Sequence, residues 1–134
     1  MTNLITELKN EHIFIVETLH KAKDFLITTE EGQNTLRSAK KYFLEHLKKE
    51  DEKLYPVLKE AAKKDLELKK ILDKFIEEMD VVSKITIDFF DKYSNGGDDE
   101  KFAADFARLF IKLSRRINNE EEIIYKKYDE LLGQ

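Results

Sequence analysis

The sequence predicts an all-α protein, an up-down-up-down antiparallel four-helix bundle. Apolar residues recur every three or four positions along most of the chain, which is the period of an amphipathic helix. Proline occurs once and glycine four times in 134 residues, so little interrupts long helices. The breaks between periodic segments are short, and short connections join antiparallel neighbours. The length suits one domain over residues 1–134.

The first two helices are predicted over residues 2–27 and 33–62. The segment 28–32 is rich in threonine and glutamate and ends in glycine, which is typical of a helix stop and loop. Asn34 has the side chain of a helix cap and is expected to begin the second helix. Pro56 lies inside that helix, removes one backbone hydrogen bond and is expected to kink it.

The third and fourth helices are predicted over residues 65–93 and 99–132. Asp65 is expected to cap the third helix at its start. The segment 94–98 contains two glycines and is the clearest break in the chain. Asp99 and its acidic neighbour suit the positive end of the helix that follows.

Composition excludes several classes of function. The formal net charge is −4 with both signs interspersed, so no nucleic-acid partner is expected. The absence of cysteine excludes disulfides, thiolate metal sites and cysteine nucleophiles. There is no nucleophile elbow and no phosphate-binding glycine loop. No apolar run is long enough to span a membrane, and the first residues lack a signal-peptide pattern, so a cytoplasmic location is expected.

Polar residues interrupt the apolar stripes of three helices. His46 and Glu50 lie four residues apart on the stripe of the second helix, and a glutamate there is costly unless it is paired, protonated or bound to a cation. His12 interrupts the stripe of the first helix, and Glu120 that of the fourth. All four lie near the middle of their helices, so a bundle would bring them to one level. Two imidazoles and two carboxylates are a plausible donor set for a transition metal.

A faint internal repeat relates the second helix to the fourth. Residues 46–55 and residues 116–125 both place a glutamate four positions after a nitrogen-bearing side chain. Both also place a tyrosine in the following turn. Ten residues of this kind are also compatible with shared helix periodicity alone.

The pattern of His12 followed by His46-x3-Glu50 and the tripeptide at 54–56 resembles the hemerythrin-like, or HHE cation-binding, domains. The resemblance covers essentially the whole chain. It implies a non-haem di-iron centre between four helices that binds oxygen or a related small ligand. The positions that match ligand positions of the family are His12, His46, Glu50 and, in the last helix, Glu120 or Glu121.

The chain departs from the family pattern at three positions. The family's third helix normally offers His-x3-His, where this chain has Met79 and Ser83. The fourth helix normally supplies a further histidine, where this chain has Arg116. In the family, one of the two irons is held largely by those three histidines. This chain lacks them, so a complete di-iron centre is not expected.

Three functions are compatible with this pattern. The first is a mononuclear site that suits non-haem iron, zinc or manganese, in a protein that binds or senses oxygen, another small ligand or iron. The second is a metal-free bundle that acts through an unidentified protein partner, with Arg116 paired to Glu50 or Glu120 in place of the metal. The third is a non-haem iron enzyme that acts on oxygen, peroxide or nitric oxide.

Overall fold

The computed structural model describes residues 1–133, and within them the chain forms four long helices. The first is α1 (Asn3–Asp24), and the third is α4 (Leu66–Tyr93). The second consists of α2 (Glu30–Lys49), a π-helical turn (Glu50–Leu54) and α3 (Tyr55–Ala62). The fourth consists of α5 (Asp99–Asn119), a second π-helical turn (Glu120–Tyr125) and α6 (Lys126–Leu131). The predicted fold class is confirmed.

Each long helix packs against two neighbours, and the second and fourth long helices also meet through α3 and α6. The helix α1 lies against α2 and α5, and α4 lies against α5 and against both halves of the second helix. The result is a closed ring of four helices around one axis, as in other four-helix bundles. Within residues 1–133, no helix has the length and apolarity needed to cross a membrane.

Of the two predicted helix caps, one is correct and one is wrong. Asp65 accepts a hydrogen bond from the backbone of Leu68, so the predicted cap of the third long helix is confirmed. The predicted cap at Asn34 is wrong, because Thr29 caps α2 and the helix begins at Glu30. A threonine side chain that accepts a backbone N–H at this position satisfies a donor that the helix itself leaves free.

Gly32 lies inside the first turn of α2 and does not end a loop. A Cβ atom on Gly32 would lie 2.0 Å from the carbonyl oxygen of Leu26, so only glycine lets the preceding segment approach so closely. Leu26 itself has a positive φ of 68°, which reverses the chain after α1. The first helix therefore ends at Asp24, before the predicted residue 27.

The interruption predicted at Pro56 takes the form of a π-helical turn before the proline. The backbone N–H of Tyr55 donates to the carbonyl of Glu50, five residues earlier. Pro56 then lies in the first turn of α3, directly after the π-helical turn. The fourth helix contains the same kind of turn without a proline, so proline is not the common cause.

A polar layer divides the apolar core into two clusters. One cluster contains Ile15, Phe43 and Leu113, and the other contains Leu8, Leu54 and Ile124. Along the first, second and fourth long helices, buried polar residues lie between these two clusters. The buried polar residues of this layer are His12, His46, Glu50 and Glu120.

Candidate metal centre

Four buried donor groups meet at the middle of the bundle. The exposed fractions of His12, His46, Glu50 and Glu120 are 4%, 3%, 1% and 0%. Each offers one nitrogen or oxygen atom, and these atoms all lie within 4.8 Å of one another. In the part of the chain that the structure describes, they are the one such group that could hold a metal ion. The convergence that the sequence predicted for these four residues is present.

Both imidazole rings are held from outside by carboxylates. Nδ1 of His12 lies 2.8 Å from Oε2 of Glu121, and Nδ1 of His46 lies 2.7 Å from Oε1 of Glu11. An ionised carboxylate can only accept a hydrogen bond, so each Nδ1 carries a hydrogen and donates it. Each Nε2 therefore faces the centre of the cluster. Histidines that bind metals are usually oriented by such a carboxylate.

Glu11 is itself fixed by a cation. Lys49 donates to Glu11 and also lies 3.3 Å from Glu7, one turn earlier on α1. Burial acts to raise the pKa of Glu11, but hydrogen bonds from Lys49 and His46 hold that pKa below its usual value. The carboxylate that orients His46 therefore stays ionised.

The inner nitrogen of His46 has no hydrogen-bond partner among residues 1–133. This buried Nε2 lies 3.4 Å from Oε1 of Glu50. Because Nδ1 carries the hydrogen, Nε2 presents a lone pair toward an oxygen atom. An imidazole nitrogen and a carboxyl oxygen placed in this way are an arrangement that a cation can bridge once the carboxyl group has lost its proton. The donor set therefore fits a metal ion.

Two tyrosines connect the core carboxylates across the bundle. Tyr55 donates to Oε2 of Glu120 at 2.7 Å, and Tyr125 donates to Oε2 of Glu50 at 2.8 Å. Each tyrosine follows one glutamate by five residues and binds the glutamate of the other helix. Burial and the nearby carboxylates raise the pKa of both phenols, which therefore keep their protons.

The internal repeat thus has a structural counterpart. In both copies the glutamate begins a π-helical turn, and the tyrosine comes at the end of that turn or directly after it. Turns of this kind are frequent at functional sites. Residues 46–55 and 116–125 accordingly share a backbone feature as well as a helix period.

Protons balance the charges of the cluster. Burial raises the pKa of Glu50 well above its usual value, and the adjacent carboxylate of Glu120 adds to this. Burial acts on Glu120 in the same direction, but hydrogen bonds from His12, Glu50 and Tyr55 hold the pKa of Glu120 below its usual value. A neutral Glu50 and an ionised Glu120 result, as expected when two carboxyl groups share one site.

The two histidines differ in charge. Burial acts to lower the pKa of His12, but its contacts with Glu120 and Glu121 raise that pKa overall. Burial lowers the pKa of His46, and the nearby His12 adds to the effect. His12 is therefore the cationic ring and His46 the neutral one.

We expect His12 and His46 to titrate on opposite sides of the ordinary histidine pKa in chelator-treated protein, His12 above it and His46 below it. Nitrogen-15 NMR of the imidazole rings across a pH series measures both. Since folding raises the pKa of His12, the stability from its ion pairs is fully present below the unfolded pKa and is lost as pH rises through the folded value. Glu120→Gln should lower the pKa of His12. A His46 ring that titrates above His12 would contradict the assignment.

Glu121 does not join the cluster. The sequence offered it as an alternative to Glu120 in the ligand set, but Glu121 contacts the outer nitrogen of His12, on the far side of the ring. Glu120 contacts the inner nitrogen at 3.1 Å. The two neighbouring glutamates therefore take different places around one imidazole.

The predicted pairing of Arg116 with a core carboxylate is wrong. Its guanidinium binds Glu78 on α4 and lies 5.7 Å from the centroid of the Phe75 ring. Glu120 already accepts hydrogen bonds from His12 and Tyr55, so it has no need of a guanidinium. Arg116 faces the third long helix near the surface.

Glu11 and Lys49 were not predicted to support the site. Glu11 directly precedes His12, so it lies about 100° around α1 and faces the second helix instead of the core. The available signal was the spacing of Glu7 and Glu11, which are four apart and so form one acidic row on α1. Their pairing with Lys49 requires knowledge of how the two helices pack.

A four-helix bundle with a buried cluster of two histidines and two glutamates belongs to the class of helical proteins that bind metals between their helices. The family model of the hemerythrin HHE cation-binding domain matches residues 3–128. The chain therefore belongs to the hemerythrin HHE cation-binding family, as its histidine and glutamate pattern indicated. No curated protein and no solved structure matched the chain in the same comparisons.

Proposed function

We propose that this protein binds one transition-metal ion, iron foremost, and uses it to bind or sense oxygen or another small ligand, or iron itself. His12, His46, Glu50 and Glu120 would hold the ion. The observation that carries the proposal is the buried, unpartnered Nε2 of His46, which faces Glu50 while its Nδ1 is already satisfied. A nitrogen in this state is unfavourable unless something binds it.

The donor chemistry supports iron. Two neutral imidazoles and two carboxylates carry a total charge of about −2 once His12 and Glu50 lose their protons, which balances a divalent ion. Nitrogen and oxygen donors of this kind suit iron and also accept zinc or manganese. An iron ion bound here would supply an open coordination position for a small ligand.

The surroundings of the histidines support one ion over two. On the side of the rings that faces α4 and α5 lies a cavity of about 10 Å³, which is lined mainly by apolar side chains. Met79, Leu113 and Ile117 are among them, and Met79 occupies a position where the family resemblance implies histidine. No second donor cluster occurs among the described residues.

A cleft leads toward the cluster from the surface. It measures about 460 Å³, and Glu50 and Tyr55 line it together with Met79 and Ser83. An ion or a small ligand could reach Glu50 by this route. The metal-free alternative required Arg116 to pair with a core carboxylate. Arg116 pairs with Glu78 instead, so this observation does not support that alternative.

Elemental analysis of protein purified without a chelating tag tests the proposal. We expect about one ion per chain, since the described residues offer one donor set. Two iron ions per chain with an oxygen-dependent charge-transfer band in the near ultraviolet would indicate a coupled di-iron centre and contradict the single-ion proposal. Protein that takes up no iron, zinc or manganese would contradict metal binding as a whole.

Glu11→Gln is expected to weaken metal binding by about 10- to 100-fold, the usual effect of losing a carboxylate that orients a ligating histidine. The variant keeps a hydrogen-bond acceptor beside His46 but removes the negative charge. Competition with a chelator measures the affinity. Glu7→Gln is the matched control, since Glu7 also contacts Lys49 but does not touch His46. Equal affinities of the two variants would show that Glu11 does not support the site.

A further inference from the structure

The hydroxyl of Tyr125 lies among the donor atoms of the cluster. Its Oη is 2.8 Å from Oε2 of Glu50, 3.1 Å from Oε1 of Glu120 and 3.2 Å from Nε2 of His12. The Tyr125 ring is stacked nearly parallel to the His12 ring, with centroids 5.5 Å apart and planes 8° apart. Stacking and burial fix the position of this oxygen.

Three of these atoms form a nearly equilateral triangle. Nε2 of His12 lies 3.1 Å from Oε1 of Glu120, and Oη of Tyr125 lies 3.1 and 3.2 Å from the same two atoms. First-row metal ions bind nitrogen and oxygen at about 2.0–2.2 Å, so ligands at right angles lie about 3 Å apart. The triangle therefore has the dimensions of one face of an octahedral site.

Tyr55 provides a contrast within the same chain. Its hydroxyl donates at 2.7 Å to Oε2 of Glu120, the oxygen that does not contact His12. It makes no hydrogen bond to either imidazole among the described residues. Of the two tyrosines in equivalent sequence positions, only Tyr125 thus contacts an imidazole nitrogen of the cluster.

We propose that Tyr125 is a fifth ligand of the metal through its phenol oxygen, an inference that rests on the proposed function. On metal binding the O–H bond breaks and an oxygen–metal bond forms, with no change in the oxidation state of the metal or of the tyrosine. Glu50 first releases its own proton to solvent through the cleft that it lines. It then accepts the phenol proton along the existing hydrogen bond and releases it by the same route, which leaves both carboxylates ionised. A phenolate and two carboxylates carry three negative charges, which favours Fe(III) over a divalent ion. Tyrosine oxygen is an established ligand of iron in proteins.

The test is the visible spectrum of protein loaded with Fe(III). A phenolate bound to ferric iron gives an intense charge-transfer band and resonance-enhanced ring vibrations in the Raman spectrum. We expect both in the wild type, loss of both in Tyr125→Phe when the spectra are normalised to bound iron, and retention of both in Tyr55→Phe. A band that persists in Tyr125→Phe, or that disappears only in Tyr55→Phe, would overturn the assignment.

Two further outcomes separate this inference from the proposed function. A wild type that takes up no iron overturns the proposed function and this inference with it. A wild type that is fully loaded with Fe(III) but lacks the band overturns the inference alone. If Tyr125→Phe fails to fold or to take up iron, the Raman spectrum of Tyr55→Phe decides: phenolate vibrations support Tyr125 as the ligand, and their absence overturns it.

Discussion

Replacing His46 with alanine is expected to release the metal while the helices remain formed. The substitution removes the one buried side-chain donor atom within residues 1–133 that has no hydrogen-bond partner, so metal affinity should fall by more than the ~100-fold that losing a supporting carboxylate can cost. Alanine has the highest helix propensity, and the apolar clusters on both sides of the layer stay intact. Elemental analysis and far-ultraviolet circular dichroism measure the two effects separately.

His20→Ala is the control for this substitution. His20 lies two turns beyond His12 on α1, and its ring packs edge-on against Phe106 and Phe110, with centroids 5.0 and 5.1 Å apart. It does not belong to the donor cluster. The control should therefore keep its metal, and a His46→Ala variant that binds metal as well as the parent would place the site elsewhere.

Glu120→Ala is expected to destabilise chelator-treated protein by roughly 3–5 kcal/mol, the cost of removing one partner from a buried ion pair. Glu120 is fully buried and accepts hydrogen bonds from His12 and Tyr55, so alanine leaves the inner N–H of His12 and the phenol of Tyr55 without this acceptor. Domains of this size are stable by about 5–15 kcal/mol, so the loss is a large part of the total. Urea denaturation measures it.

Glu122→Ala and Glu120→Gln complete this experiment. Glu122 belongs to the same π-helical turn but is exposed, so its replacement should change the free energy of unfolding by at most about 0.5 kcal/mol. Glu120→Gln keeps an acceptor and should destabilise less than alanine, which gives a measurable value if Glu120→Ala does not fold. Equal effects of Glu120→Ala and Glu122→Ala would show that the buried network contributes nothing to stability.

The architecture could be predicted because it depends on periodicity, which the sequence displays directly. The apolar stripes located all four long helices, and Asp65 marked a start correctly. The start of α2 was misplaced because Gly32 was interpreted as a helix breaker. Its actual role is to accommodate the carbonyl of Leu26, and such a contact cannot be recognised before the chain is folded.

The site was predictable in part for a related reason. A charged or titratable residue inside an apolar stripe is visible in sequence, and this identified the four inward donors. The partners of those donors were not visible, because they depend on contacts between helices. Glu11 contacts His46 from the neighbouring helix, and each tyrosine binds the glutamate of the opposite helix. Arg116 was misassigned for the same reason, since its direction depends on where α4 lies.

The polar layer between the two apolar clusters has a consequence for how the helices align. Contacts between apolar side chains alone would tolerate a shift of one helix along its neighbour by a full turn, about 5.4 Å, with little loss of stability. Here such a shift would separate buried imidazole or phenol groups from the carboxylates that they contact on other helices, at the cost of leaving polar groups unpaired among apolar side chains. The buried polar side chains of this layer thus set the axial alignment of the helices in the bundle.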